Sequence, residues 1–357
     1  MTKILEIQSY RKPYTVRFES NALSALADEL KPGDVLLVDH NVHELYREAL
    51  GPVLANHRVI QIEAAEERKS YDGVRPILLE LIENGFKKNH RLVAIGGGIT
   101  QDVTAFMASI LYRGVEWIFL PTNLLSQCDS CIGSKTSINF DNYKNQIGGF
   151  YPPRLILSDP AFLETLEDQE IRSGLGEMAH YYLVEGDEAF SRYEANVEEA
   201  LKRGPALHNL IHESLAIKKR MIELDEFDEG PRNVFNFGHS FGHAIEGYTH
   251  YGIPHGLAVS FGMDIANAQS ARLGLIPESL RQRVRDTLQK VWCKVDFPEI
   301  DLETYINILR KDKKNMDDAV RVILTRGLGD MFVDKIEVDE EFVETLKSCF
   351  EAYRSGK

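Results

Sequence analysis

Residues 91–102 read RLVAIGGGITQD: a short apolar run ends in three glycines and continues into a helix-length segment. Comparable apolar runs occur at residues 34–39, 57–62 and 115–120, again separated by helix-length segments. Strands that are apolar on both faces and alternate with helices form a parallel sheet that helices cover on both sides. The pattern predicts an α/β domain with a Rossmann-like parallel sheet over residues 1–165.

The glycine run at the end of its strand is a candidate phosphate-binding turn. Glycine lets backbone N–H groups approach a diphosphate, and the dipole of the following helix favours the negative charge. The run lacks the G-x-G-x-x-G spacing, so a plain tight turn is the alternative for this motif alone. Ligands of parallel sheets bind beyond the carboxyl ends of the strands. Candidate cofactor residues there, or in a loop that reaches the same ligand, are Asp39, Asn41, Glu66, Lys69, Gly97, Gly98 and Thr122. Together they predict an N-terminal dinucleotide-binding domain.

The second half of the chain has the 3.6-residue periodicity of helices. Helices are predicted at residues 168–183, 205–224, 236–248, 255–273 and 277–291, with a late pair of strands near 320–324 and 331–333. We therefore predict a mainly α C-terminal domain over residues 166–357. We expect the two domains to pack closely, with the active site in the cleft between them.

Three histidines and one glutamate are candidate metal ligands. His239 and His243 share one helix face, because they stand four residues apart, and His255 follows at the head of the next predicted helix. Glu177 lies in a largely apolar segment, where an unpaired carboxylate would be costly. A histidine pair alone is usually solvated. One carboxylate with two or three histidines is typical of a catalytic zinc site with an open coordination position.

The composition limits the partners. The 357 residues include 41 Lys and Arg against 55 Asp and Glu, a formal net charge of −14, which repels nucleic acid and anionic membranes. No apolar run approaches the ~20 residues of a membrane span, and the start lacks a signal peptide's apolar stretch. Four cysteines are too few for a disulfide framework, and Cys128 and Cys131 are two incidental small residues or a redox dithiol. We predict a cytoplasmic protein.

Several cations lie on the same segments as the glycine and histidine motifs. They are Arg113, Lys135, Lys144, Lys218, Arg232 and the cations of the run at residues 311–314. Each one alone is typical of a solvated surface charge. Together they predict a pocket for a small molecule with several anionic groups, such as a phosphate and a carboxylate.

These segments, in this order, resemble 3-dehydroquinate synthase and the wider sugar phosphate cyclases. The resemblance covers residues 39 to about 314 and rests on Gly96-Gly97-Gly98 with Asp102, Tyr112-Arg113-Gly114, Pro121-Thr122, Asp129 with Lys135, Lys144-Asn145, Gly176-Glu177, Lys218, and Arg232-x-x-x-Asn236-x-x-His239-x-x-x-His243 with His255. It implies a dehydroquinate synthase-like fold, in which an N-terminal NAD-binding α/β domain precedes a C-terminal helical domain that binds metal and substrate. It also implies a homodimer.

The resemblance further implies a role for each matching residue. The metal, zinc or cobalt, would be bound by Glu177, His243 and His255. NAD would be held by Asp39, Asn41, Glu66, Lys69, Gly97, Gly98, Asp102, Thr122, Lys135 and Lys144. The sugar phosphate would be surrounded by Asp129, Lys135, Asn145, Lys218, Arg232, Asn236 and His239, and by Arg113 from the neighbouring subunit. His239 would transfer protons, and Lys313 or Lys314 would close over the phosphate.

The reaction so implied converts 3-deoxyheptulosonate 7-phosphate to 3-dehydroquinate, in the shikimate pathway. NAD removes hydride from a ring alcohol that the metal acidifies, and the resulting ketone acidifies the neighbouring C–H so that phosphate is eliminated. NADH then returns the hydride, the ring opens, and an intramolecular aldol addition closes the carbocycle. Positioning and charge stabilisation carry most of the catalysis.

Four positions depart from the family pattern. Three residues after Glu177, dehydroquinate synthases carry a lysine that contacts the substrate; here it is His180, a shorter side chain without a fixed charge. Gln101, Asn123 and Ser134 replace a glycine, a threonine and a glycine.

The substrate is predicted from the residues that do match. Arg232 and Asn236 stand as in dehydroquinate synthase, whereas valiolone-type cyclases carry Asp and 2-deoxy-scyllo-inosose synthase carries Glu in place of Asn236. Arg232 favours a substrate with a carboxylate. We predict 3-dehydroquinate synthase activity. The alternatives are another sugar phosphate cyclase, acting for example on sedoheptulose 7-phosphate, an NAD polyol dehydrogenase of the glycerol dehydrogenase type, and a non-catalytic NAD-binding relative.

Overall fold

The computed structural model describes residues 3–141, 143–310 and 319–356, which form two compact units. The first unit comprises residues 1–166 together with 218–227, and the second comprises 167–217 together with 228–357. Residues 218–227 thus join the first unit, although the sequence analysis placed them in the second domain. The division of cofactor and metal binding between the two domains stays a prediction.

The first unit alternates strands and helices from its third strand to its sixth. Its elements are β1 (Lys3–Ile7), β2 (Tyr14–Phe18), α1 (Ala22–Glu29), β3 (Val35–Asp39), α2 (His40–Leu45), α3 (Arg47–Leu54), β4 (Arg58–Ile62), α4 (Tyr71–Glu83), β5 (Leu92–Gly96), α5 (Gly98–Ile110), β6 (Trp117–Pro121), β7 (Lys135–Phe140), β8 (Tyr143–Phe150) and β9 (Leu155–Ser158). The four strands predicted from apolar runs are β3, β4, β5 and β6.

Seven of these strands form one sheet in the order β1-β2-β9-β6-β5-β3-β4. β1 and β2 pair antiparallel at one edge, and the remaining neighbours pair in parallel, which confirms the predicted sheet. All residues of β3, β5 and β6 are buried, so each such aliphatic side chain contributes roughly 1.5–3 kcal/mol of transfer free energy. The register pairs Val38 with Ile95 and Gly96 with Pro121, which brings the carboxyl ends of three strands to one edge.

The second unit is mainly helical. Its elements are α6 (Asp168–Glu185), α7 (Asp187–Ala200), α8 (Pro205–Leu224, whose last residues belong to the first unit), α9 (His239–Tyr248), α10 (His255–Arg272), α11 (Glu278–Trp292), α12 (Leu302–Arg310), β10 (Ala319–Thr325), β11 (Met331–Glu337) and α13 (Glu340–Arg354). The five predicted helices and the late strand pair are confirmed. One helix starts later than expected, at His239, because Pro231–Asn236 forms a 3₁₀ turn and Gly238 has a φ of 84°. In the described ranges, none of the helices is long and apolar enough to cross a bilayer.

Helix α10 packs against α6 and α9 through glycines. A Cβ atom on Gly256 would lie 1.9 Å from the backbone oxygen of Ser173, and one on Gly262 would lie 2.1 Å from that of Gly238. Neither position has room for a side chain, because the helix backbones touch there. This close approach lets short side chains from three helices reach one point.

Candidate functional site

One carboxylate and three imidazoles form a cluster where α6, α9 and α10 meet. Glu177, on α6, is 2% exposed. Its Oε1 lies 3.5 Å from Nε2 of His239, and its Oε2 lies 3.5 Å from Nε2 of His255. Ligand nitrogens of His239, His243 and His255 all lie within 4.8 Å of one another. The three predicted metal ligands and the predicted proton-transfer residue are therefore brought together.

The electrostatics of the cluster suit a cation. Burial raises the pKa of Glu177, but the neighbouring His239 and His255 outweigh it and hold that pKa below its usual range. Desolvation of its ring, followed by the charges of His239 and His255, lowers the pKa of His243 to about 4, so this ring is neutral near pH 7. Oε2 of Glu177 is buried without a hydrogen-bond partner among the described groups. Two ligand atoms about 2.1 Å from a tetrahedral ion lie about 3.4 Å apart, close to the two 3.5 Å separations, so the residues fit a metal.

A second carboxylate supports the cluster from behind. Oε2 of Glu246 lies 3.1 Å from Nδ1 of His255, the ring nitrogen opposite the one that faces Glu177. A carboxylate in this position fixes the tautomer and orientation of a metal-binding histidine. The sequence analysis missed Glu246. Its signal was an acidic residue one helical turn after His243 and on the same face.

His180, which replaces the lysine of the relatives, lies inside this cluster. The residue is 1% exposed, and its Nδ1 is 3.6 Å from Oε1 of Glu177. Its ring centroid lies 3.8 Å from that of Tyr181 and 5.4 Å from that of His239. The side chain therefore packs beside the glutamate, among aromatic rings.

The turn before α9 carries the two residues that match dehydroquinate synthase. Arg232 is 5% exposed, and Nδ2 of Asn236 donates to the backbone oxygen of Asn233 at 3.0 Å. Asn236, His239 and His243 line a single cavity of about 50 Å³. The structure thus places Asn236 beside the histidine cluster.

In the first unit, two predicted substrate residues form an ion pair. Nζ of Lys218 donates to Oδ1 of Asp129 at 2.6 Å and to its backbone oxygen at 2.7 Å. Lys218 is 6% exposed, so the pair is largely desolvated. Asp129 therefore fixes where the ammonium group points.

The two cysteines beside Asp129 are free and buried. Desolvation raises the pKa of Cys131 to about 12, so this thiol does not ionise near neutral pH. Because the thiolate is the reactive form, this disfavours the redox alternative. Cys128 and Cys131 therefore fit the interpretation as small buried residues.

The carboxyl edge of the parallel sheet has an open backbone surface. Gly97 precedes α5 without any side-chain cap, and a Cβ on Gly98 would meet nothing within 4 Å. Thr122 lies next to this turn, since its N–H donates to the oxygen of Gly96 at 3.0 Å. The space above Gly98 is thus open, whereas the side chain of Asn123 lies beside Gly97. The N–H groups of a helix start next to such a space fit the diphosphate of a dinucleotide.

Asp39, at the end of β3, also caps α2. Its Oδ1 accepts the backbone N–H groups of Asn41 at 2.8 Å and Val42 at 3.3 Å. The cap holds the side chain at the carboxyl edge of the sheet, where the sequence analysis expected it. Asn41 is held close to it by the same contact.

Four other predicted cofactor residues join one predicted substrate residue in a polar network. Nζ of Lys69 lies 2.5 Å from Oδ2 of Asp102 and 2.8 Å from Oδ1 of Asn145. Desolvation raises the pKa of Asp102, against the opposing charge of Lys69. Oε1 of Glu66 lies 3.5 Å from Nζ of Lys144. These contacts tie the loop before α4 to the β7–β8 hairpin.

The remaining predicted cations are less tightly held or fall elsewhere. Lys135 begins β7 and is exposed. Arg113 is exposed in a turn with a φ of 62°. Lys313 and Lys314 lie outside the described residues.

The three other departures from the family pattern have local structural partners. Gln101 and Ser130 exchange hydrogen bonds of 2.6 and 2.7 Å. Ser134 has a φ of 64°, a conformation that the family's glycine adopts without strain, and its hydroxyl donates to Glu226 at 2.6 Å. Oδ1 of Asn123 accepts the N–H of Ser126 at 2.9 Å. Each of these three side chains is thus hydrogen-bonded to neighbouring residues.

Two solved structures of sugar phosphate cyclases have a fold similar to that of this chain. A 2-epi-5-epi-valiolone synthase of Streptomyces hygroscopicus subsp. jinggangensis, with NAD+ and Zn2+ bound, matches 95% of this chain and 97% of its own, with a TM-score of 0.85 and 27% identity. A 2-deoxy-scyllo-inosose synthase complexed with carbaglucose-6-phosphate, NAD+ and Co2+ has the same fold, with a TM-score of 0.86, 23% identity and coverage of 100% of both chains. The fold is that of the sugar phosphate cyclases.

Sequence comparison defines the family within that class. Models of the 3-dehydroquinate synthase N-terminal and C-terminal regions match residues 59–173 and 174–315. A 3-dehydroquinate synthase of Acidithiobacillus ferrooxidans is 37% identical over 332 residues, which cover 91% of both chains. The chain belongs to the 3-dehydroquinate synthase family and is a phosphate-eliminating cyclase, as the resemblance implied.

Proposed function

We propose that this protein is an NAD- and metal-dependent 3-dehydroquinate synthase of the shikimate pathway, which converts 3-deoxyheptulosonate 7-phosphate to 3-dehydroquinate and phosphate. The observation that carries the proposal is the short turn that joins the buried Arg232 to Asn236 and runs into the histidine helix. A guanidinium there suits the carboxylate of this substrate. According to the resemblance, relatives that use substrates without a carboxylate carry a different residue at the position of Asn236.

The proposed metal ligands are Glu177, His239 and His255. The sequence analysis gave His243 the third place and made His239 the proton-transfer group. The geometry favours exchanging the roles of His239 and His243. His239 and His255 each face one oxygen of Glu177, while His243 is the exposed member of the set. His243 then becomes the group that moves a proton at its ring nitrogen. Zinc suits this donor set.

This assignment is tested by metal content. We expect His239→Ala to abolish zinc retention after gel filtration, and His243→Ala to retain zinc while turnover falls. The opposite result would restore the original assignment. Thermal melts of both variants without metal control for misfolding.

When bound, NAD supplies a reversible hydride acceptor and the metal supplies a Lewis acid that acidifies a substrate hydroxyl. The chain itself positions the substrate and its charges. Asp129 orients the Lys218 ammonium, and Arg232 holds the carboxylate, so that the anionic intermediates are stabilised without a strong protein base. Gly97 and Gly98 present backbone N–H groups to the dinucleotide diphosphate, and Thr122 borders them.

We further propose that the enzyme works as a homodimer in the cytoplasm. The exposed Arg113 supports the first point, because it is the residue that the resemblance assigns to the partner's phosphate site. All four cysteines are free, which agrees with a reducing compartment. Light scattering after gel filtration checks the dimer: we expect twice the chain mass of 40.5 kDa.

A second candidate is another sugar phosphate cyclase. The buried His180 favours it, because a side chain that stands where relatives hold a substrate-binding lysine changes what the site contacts. The sugar it would take lacks the carboxylate, as sedoheptulose 7-phosphate does.

A substrate panel separates the candidates. Metal-loaded protein and NAD are incubated with 3-deoxyheptulosonate 7-phosphate, sedoheptulose 7-phosphate or glucose 6-phosphate, and released phosphate is measured. Release from the first alone supports the proposal, and release only from another sugar refutes it in favour of the second candidate. Sustained accumulation of NADH from polyols would instead indicate a dehydrogenase.

A further inference from the structure

The cavity beside the histidine cluster is complementary to an anion. Its polar lining consists of Asn233, Asn236, His239, Ser240, His243 and Arg321. Among the described residues that line it there is no carboxylate, although the chain as a whole carries a net charge of −14. Arg321 is the only described lining residue with a permanent positive charge, and a guanidinium is suited to binding a carboxylate or phosphate.

Arg321 reaches the cavity from a strand rather than from the histidine helices. Arg321 and Ile323 lie on one face of β10, and across the hairpin they pair with Lys335 and Val333. Ile323 and Val333 line the same cavity. The hydroxyl of Ser240 donates to the backbone oxygen of Arg321 at 3.4 Å, which ties the strand to α9. The hairpin therefore forms one wall of the cavity, with the half-buried Arg321 as its charged residue.

We propose that Arg321 is a substrate-binding residue that determines specificity by holding one oxyanion of the substrate, a carboxylate or a phosphate, next to Asn236 and His243. This inference rests on the proposed cyclase function. The cavity of about 50 Å³ has room for a small polar group of the substrate. Arg321 is not among the cations predicted from the sequence.

The test compares Arg321→Met, Arg321→Lys and the control Lys335→Met. Lys335 is exposed on β11 and pairs with Arg321 across the hairpin. Its variant therefore also removes one positive charge from the β10–β11 hairpin. With metal and NAD bound, we expect Arg321→Met to raise KM about 10- to 100-fold and to leave kcat within a few-fold, as expected for loss of one charge-assisted contact. Arg321→Lys keeps the charge without the fork and should fall between. Lys335→Met should change KM less than twofold. Equal KM values for Arg321→Met and wild type would overturn the proposal.

Binding measurements identify the oxyanion and separate this inference from the proposed function. Calorimetry titrates inorganic phosphate and, separately, 3-deoxyheptulosonate without its phosphate into the metal- and NAD-loaded wild type and Arg321→Met. Weakened binding of phosphate alone assigns the phosphate, and weakened binding of the sugar acid alone assigns the carboxylate. Unchanged binding of both, or no binding of either to wild type, overturns the role of Arg321. If wild type releases no phosphate from any sugar phosphate, the proposed function fails, while the binding difference at Arg321 still decides this inference.

Discussion

We expect Glu246 to set how tightly the proposed metal site holds its ion, and a conservative substitution measures that effect. Its carboxylate lies 3.1 Å from Nδ1 of His255, and its side chain is 12% exposed, so the contact is largely protected from solvent. A hydrogen bond to a charged group contributes about 1.5–3 kcal/mol. Glu246→Gln keeps a hydrogen-bond acceptor but loses the negative charge, and with it about half of this free energy. We expect zinc to bind about tenfold more weakly to this variant, and up to 100-fold more weakly to Glu246→Ala.

The assay is competition for zinc between the apoprotein and a chromogenic chelator at neutral pH. The matched control is Glu303→Gln, which removes one exposed carboxylate from the first turn of α12. Zinc dissociation constants for Glu246→Gln and Glu246→Ala that equal those of Glu303→Gln would refute the reasoning. Thermal melts of the apoproteins show whether any loss comes from unfolding instead.

Three further predictions concern the rest of the site. Asp129→Asn removes the carboxylate charge beside the buried Lys218 ammonium and should lower the free energy of unfolding by about 2–3 kcal/mol in urea titrations. Adding Lys218→Met should recover part of the loss, and a strictly additive double variant would contradict the pairing. Gly98→Val should weaken NAD binding in fluorescence titrations while the melting temperature stays constant, because the space above Gly98 is open; unchanged NAD affinity would mean that the cofactor binds elsewhere. Chelating the metal should lower stability by about 4 kcal/mol relative to protein held at 1,000 times the metal dissociation constant, and His239→Ala should show no such metal-dependent difference.

The sequence predicted the parallel sheet well because its strands are buried on both faces and carry their own signal. β3, β5 and β6 are buried along their whole length and apolar apart from Asp39 at the end of β3, so each could be recognised without knowledge of its neighbours. The β7–β8 hairpin could not be, since Lys135, Asn145 and their neighbours are polar and are held by contacts with Lys69 and other distant residues. Strands of this kind are stabilised by tertiary contacts rather than by local pattern.

The site was predictable where spacing along a helix carries the information. His239 and His243 share a face by their four-residue separation, and the family pattern linked them to Glu177. Spacing could not say which imidazole faces the carboxylate, because that depends on how α9 crosses α6. Glu246 and Arg321 were missed for a similar reason: each becomes informative only when another element brings His255 or the cavity to it.

The glycine crossings of α10 give the metal site an unusual mutational profile. Gly256 follows the proposed ligand His255 directly, and its N–H donates to the hydroxyl oxygen of Ser173 at 3.0 Å. A methyl group on its Cα would collide with the backbone oxygen of Ser173 on α6. A single added carbon there would push α10 away from α6 and separate His255 from Glu177, although every metal-binding atom is still encoded. Two glycines without any functional group are therefore expected to tolerate substitution no better than the proposed ligands do.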